Sequence, residues 1–259
     1  MNTKLLLMVL FVLFLGSQKA SSQGGTTHEI GILIGPVVFY SDFGERGNYE
    51  TNKNNVGFGL GIVHYLNYAF NSPSYFDTHF KIRNELDFHK TNFYHYGRWV
   101  KPEKTSVMAN QLRAMSGQTT VIELGSHLEY YPWSIYDFEN NGFKVTPFFS
   151  LGAHLVYFDP EVKSSLGPLN LQVSTPVKYY NSFRQRPGMT VAFIASFGIR
   201  YKLTPMSDLM LESRWQCYLS DEVDGLNPTF ENNKKRPVPE NESKDWIYWL
   251  NLGYIYYLN

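Results

Sequence analysis

Ten residues constrain this chain more than any others: Phe80 to His89 reads Phe-Lys-Ile-Arg-Asn-Glu-Leu-Asp-Phe-His. In an extended chain successive side chains point to opposite faces, so Lys81, Arg83, Glu85, Asp87 and His89 share one face and a nearly all-apolar row occupies the other. A soluble strand with this pattern would turn the apolar row to a core and the charged row to water. Here the alternation recurs in most of the apolar segments, with glycine or charge opposite. That repetition predicts a small transmembrane β-barrel with lipid outside and a polar interior.

The N-terminus predicts the compartment. Lys4 precedes an apolar run from Leu5 to Leu15, followed by small residues at Gly16, Ser17, Ala20, Ser21 and Ser22. This reads as a secretory signal peptide over residues 1–22, leaving 23–259 as one barrel domain. A membrane anchor is disfavoured because the run is shorter than the roughly 20 residues of a spanning helix. Cys217 is the only cysteine, so neither a lipid-modified N-terminus nor an internal disulfide is expected. Removing 1–22 takes away Lys4 and Lys19 and no acid, turning a formal charge of zero into −2, which argues against nucleic acid as a partner. Aromatics make up 17% of the chain and crowd at Tyr130, Tyr131 and Trp133 and at Trp246, Tyr248 and Trp249, as two aromatic girdles would require.

Extended alternation marks eight strands, at 28–40, 54–67, 78–91, 117–131, 144–158, 188–202, 207–219 and 244–258. The expected fold is therefore all-β, an eight-stranded antiparallel up-and-down transmembrane barrel. Its connections alternate between long (41–53, 92–116, 159–187, 220–243) and shorter (68–77, 132–143, 203–206). Short turns face the periplasm in such barrels, so both termini are expected there, in the outer membrane of a Gram-negative cell, with the long loops extracellular. A soluble barrel of the lipocalin type would need an apolar interior. The inward parity instead carries Lys81, Arg83, Glu85, Asp87, Glu123, Glu129, Arg200, Lys202, Glu212 and Arg214, nearly balanced in sign. Buried charges persist when paired, and eight strands leave an interior just wide enough for side chains to fill, so these ten are expected to form a structural plug rather than a gated ion path.

Three signals invite a chemical reading. Gly57-Phe58-Gly59-Leu60-Gly61 has glycines in a dinucleotide-like rhythm but sits inside an alternating strand, so no cofactor is expected. His64, His89, His127 and His154 with Ser126, Ser150 and Glu123 supply the residue types of a hydrolase, yet parity sends Ser126 out and His127 and His154 in, which makes a shared site hard to build. Asp221-Glu222-Val223-Asp224-Gly225 offers carboxylates for calcium but lacks the longer EF-hand spacing, and a solvated acidic turn is expected, with no metal. Recognition is assigned to the long loops. Trp99, Arg98 and Arg113 in the second, where 107–115 reads as a short helix, and Tyr179, Tyr180 and Arg184 in the third have the aromatic and arginine composition of interfaces, or of a girdle meeting lipopolysaccharide phosphates.

The segments Tyr40-Ser41-Asp42-Phe43-Gly44-Glu45-Arg46-Gly47-Asn48, Gln111-Leu112-Arg113-Ala114-Met115-Ser116-Gly117, Leu128-Glu129-Tyr130-Tyr131 and Ser220-Asp221-Glu222-Val223-Asp224-Gly225-Leu226 resemble an uncharacterised outer-membrane barrel family of the Bacteroidota. Members are sometimes labelled glutamate dehydrogenase, but the sequence has no strand, glycine turn and helix unit to support that label. The resemblance brings no known catalytic residues, and no enzyme is expected; separately, the C-terminal Tyr254, Tyr256 and Leu258 share a face and resemble the insertion signal read by the barrel-assembly machinery, despite the terminal Asn259. The resemblance also implies an accessory role among secretion, uptake or assembly complexes. A small porin-like channel and a lipid-modifying enzyme are the alternatives.

Overall fold

A computed structural model describes residues 25–45, 48–70, 74–226 and 244–258. The signal-peptide segment 1–22 and residues 227–243 of the last long loop lie outside these. The eight strands are β1 (Thr27–Tyr40), β2 (Val56–Asn67), β3 (Phe80–Tyr94), β4 (Met115–Tyr130), β5 (Val145–Ser164), β6 (Gly188–Thr204), β7 (Ser207–Tyr218) and β8 (Trp246–Leu258). Each pairs antiparallel with its neighbour in sequence, and β1 closes on β8 through registers such as His28↔Leu258 and Tyr40↔Trp246. The closed, all-antiparallel, up-and-down barrel is the architecture that the alternation predicts, and closure leaves no unpaired sheet edge through its body.

Boundaries shift most at the long-loop end, where β5 runs six residues beyond its expected end, through Pro160. Pairing with β6 stops at Phe158↔Gly188, while pairing with β4 continues to Met115↔Ser164, so Pro160 sits on a free edge that needs no N–H. Pro36 is accommodated similarly, since Gly35 and Pro36 are skipped in the β1–β8 ladder. There the Cα of Gly35 lies so close to the carbonyl of Leu250 that a Cβ would stand 1.9 Å from its oxygen.

Among the described residues four short α-helices decorate the ends: α1 (Tyr49–Asn52), α2 (Tyr75–His79), α3 (Val107–Ala114) and α4 (Ile135–Glu139). Helix α3, expected from the sequence, starts where the Ser106 hydroxyl accepts from the Ala109 amide. None of the described helices is long and apolar enough to cross a membrane. The outward parity is a continuous apolar belt, including Ile32, Ile62, Phe88, Leu151, Phe197 and Leu252. Water would not tolerate so large an apolar surface on a monomer, and a lipid environment satisfies it.

The interior has two halves of different chemistry. Toward the short-turn end and middle charged side chains are interleaved with an apolar cluster that includes Leu33, Val63, Phe148, Met210 and Ile255, whereas toward the long loops Val37, Phe39, Phe93, Val121, Val156, Phe158, Ile194 and Trp249 form an apolar cluster without charges. The sequence-based expectation of a polar interior throughout is corrected here. Trp249 and Tyr131, assigned to the girdles, are also corrected: both point inward and are fully buried, while their neighbours Trp246 and Trp133 are exposed. Trp249 lies against Gly59, where a Cβ would stand 2.4 Å from the indole, which explains why the run Gly57-Phe58-Gly59 needs glycine on its inner face.

Candidate functional site

All ten inward charges named from the sequence are buried inside the barrel. Three further acids join them: Glu29 on β1, Asp208 on β7 and Glu139 at the end of α4. Glu29 and Asp208 carry the inward parity and were legible. Glu139 was not, because a turn helix has no strand parity.

The charges form two layers. In the lower one, at the short-turn end, Lys81 pairs with Glu29 and lies 2.7 Å from Glu139. Arg200 reaches Glu29 at 2.5 Å and Asp208 at 2.9 Å, and stacks over Tyr65 at 5.0 Å. Lys202 lies 3.6 Å from Asp208 and 3.9 Å from the Tyr257 ring centroid. Three bases here face three acids.

The middle layer is not balanced. Arg83 contacts Glu85 at 2.7 Å, Glu129 at 2.5 Å and Glu212 at 2.8 Å. Arg214 contacts Glu85 at 2.9 Å, Asp87 at 3.0 Å and Glu212 at 3.1 Å, beneath the face of Trp249. Glu123 accepts from Gln216 at 2.6 Å and from Tyr218 at 2.9 Å. Two guanidiniums thus serve four carboxylates and leave Glu123 to Gln216, Tyr218 and the imidazoles of His89 and His154, so that this layer holds five carboxyl groups against two guanidiniums, with His127 also among them. The near balance expected from the sequence is corrected, because Glu29, Asp208 and Glu139 neutralise the lower bases and leave the middle acids under-compensated.

The histidines also correct the view that a shared site is hard to build. Ser150, rather than Ser126, is the serine that matters. Its Oγ lies 2.9 Å from His127 Nδ1, His127 Nε2 lies 2.8 Å from His154 Nε2, and His154 Nδ1 lies 3.0 Å from Glu123 Oε2. Ser126 points outward and donates to Asn84 Oδ1, and His64 stacks on His28 on the outer face. The Ser-His-His-Glu chain is enclosed, each member at most 3% exposed. Each of the two central rings is seated on a glycine of the neighbouring strand, His127 over Gly152 and His154 over Gly125.

At the long-loop end a cleft of about 860 Å³ is lined by Phe43, His95, Arg98, Trp99, Met108 and Tyr179, among others. Arg98 stacks over Trp99 at 4.8 Å and pairs with Glu45 at 3.3 Å, and both are largely exposed. Arg113 is engaged within its own loop, whereas Arg184 ties the third long loop to the fourth. Arg113 donates to the carbonyls of Lys101 and Lys104, each at 2.9 Å, and Arg184 pairs with Glu222 and covers the Phe158 ring. Tyr179 and Tyr180 are half-buried.

The acidic turn is not solvated. Asp224 and Asp245 are fully buried, with Asp224 accepting from the amides of Asp42 (2.9 Å) and Leu226 (2.8 Å), and Asp245 from those of Val223 (2.8 Å) and Asp224 (3.1 Å). Burial, with the charge of Asp221, pushes the Asp224 carboxyl up to about 7, and burial with the charges of Asp224 and Asp42 holds Asp245 well above the ordinary range. A carboxyl raised on folding stabilises the folded state fully below its unfolded pKa of about 4, and that contribution is lost as pH rises to about 7. The melting temperature in detergent is therefore expected to fall between pH 5 and pH 8. The fall should be smaller in Asp245→Asn, and an equal or larger fall there contradicts the assignment.

No protein-family model matches the sequence, and no curated protein matches it. Among solved structures the chain is similar to the attachment invasion locus protein Ail of Yersinia pestis, solved with the heparin analogue sucrose octasulfate, at 11% identity and TM-score 0.42, over 89% of this chain and 99% of that one. It is similar to Neisserial surface protein A at 11% identity and TM-score 0.43, over 90% and 98% of the two chains. A major outer membrane protein of Thermus thermophilus matches at 12% identity and TM-score 0.47, over 89% and 99%. Strand count and closure rest on the hydrogen-bond ladder described above.

Proposed function

We propose that this protein is an outer-membrane barrel with a plugged interior, acting as a structural or accessory subunit that binds a protein partner of a secretion, uptake or assembly complex through its extracellular loops. The observation that carries the reading is the pairing of a filled interior with an exposed Arg98–Trp99 surface beside the long-loop cleft. A filled lumen leaves the loops as the working surface, and a stacked aromatic and arginine pair is the composition of binding hot spots. Both barrel ends of the chain lie at the short-turn end, consistent with periplasmic termini. The filled lumen counts against the porin-like alternative. The burial of the Ser150, His127, His154 and Glu123 chain counts against a lipid-modifying enzyme.

Extraction of tagged protein from membranes in mild detergent, followed by mass spectrometry, tests the reading. A partner set at near-equal stoichiometry is expected, and Trp99→Ala with Arg98→Ala should release it while leaving the barrel folded. A barrel that purifies alone ends the accessory-subunit reading.

A further inference from the structure

The geometry points to a transition-metal site in the middle of the barrel, a zinc centre held by Glu85 Oε2, His127 Nε2 and His154 Nε2. These three atoms form a triangle with edges of 2.8, 3.2 and 3.6 Å. Three ligands at zinc bond lengths of 2.0–2.1 Å in tetrahedral directions stand about 3.3–3.4 Å apart, so the triangle brackets the required edge. The set of two imidazoles and one carboxylate is chemistry that zinc accepts.

Three observations beyond the cluster favour a metal over a shared proton. Glu85 Oε2 is buried and accepts no hydrogen bond among the described residues, although its partner oxygen is held by Arg83 and Arg214. One proton between the two Nε2 atoms leaves that oxygen unsatisfied, whereas a metal takes all three lone pairs. The far nitrogen of His154 is oriented as a metal-bound histidine requires, with Nδ1 facing the Glu123 carboxylate, which only accepts; His127 Nδ1 faces the Ser150 hydroxyl, which can accept its proton, while Arg83 Nη2, a donor, competes for that nitrogen from 3.3 Å. Finally, the layer holds three more carboxylates than guanidiniums, and a dication lowers that excess to one. Gly125 and Gly152 leave space for both rings and for no larger side chain at those positions.

The test uses protein produced from its full coding sequence without a polyhistidine tag in zinc-supplemented medium, so that the metal is present while the barrel closes, then extracted from membranes and passed over a chelating resin. Mass spectrometry should find roughly one zinc per chain, and X-ray absorption should find two imidazole nitrogens at about 2.0–2.1 Å. His154→Asn should abolish retention, and Glu123→Gln, which removes the orienting carboxylate, should weaken binding about 10–100-fold. His64→Asn, on the outer face, should retain zinc as the parent does. Folded parent protein without zinc, equal retention by a folded His154→Asn, or a spectrum with oxygen ligands only overturns the site. If His154→Asn does not fold, the spectrum of the parent decides.

Discussion

Replacing Arg83 with methionine should destabilise the barrel by about 3–5 kcal/mol, because Glu85, Glu129 and Glu212 are buried and lose their shared cation. Replacing Glu212 with glutamine should cost only about 1 kcal/mol. Glutamine keeps hydrogen-bonding capacity toward Ser196 and Asn251, and Arg83 and Arg214 each retain two carboxylates. The asymmetry follows from the acid excess of the middle layer: removing a base deepens it and removing an acid relieves it. Denaturant titration of the barrel in lipid vesicles measures both changes. Equal costs, or a larger cost for Glu212→Gln, would show that the layer is charge-balanced after all.

Trp249→Ala should cost a similar amount, about 3–5 kcal/mol, by emptying the largest fully buried side chain of the interior. The loss goes beyond transfer of an indole. Trp249 touches the apolar cluster on one side and covers the Arg214 guanidinium on the other, so its removal admits water to the charged layer from the long-loop end. Gly59, which makes room for the indole, cannot fill the space. Trp246→Ala on the exposed face serves as the control, with little expected loss.

Much of this architecture was legible before any coordinates. In β3 five charged or imidazole side chains alternate with a lipid-facing row, and only a closed barrel buries the first while exposing the second. The signal fades where both faces are apolar. Val121 faces in and Ile122 out, and Val156 faces in and Leu155 out, so the apolar half of the interior leaves no contrast with the belt. Trp249 and Tyr131 were misplaced for a related reason: aromatic density suggests a girdle, but only parity separates Tyr248 from Trp249. Ser150, His127 and His154 are named by the sequence, but not their meeting, because they sit on β4 and β5 and facing them requires the register His127↔Gly152, which a single sequence does not supply. The nearest sequence signals of that meeting are the two small residues, Gly125 and Gly152, opposite the rings.

The expected sealing of the interior also separates the plugged reading from a pore. Charged layers and a second apolar cluster fill the interior below, and the apolar cluster beneath the long loops excludes ions. Single-channel recording of the purified parent protein in a planar bilayer, beside Trp249→Ala, tests this most directly. The plugged barrel predicts an electrically silent parent, and a variant that alone shows current. Discrete, voltage-stable conductance steps from the parent, altered by neutralising Arg83 or Glu85, would contradict it.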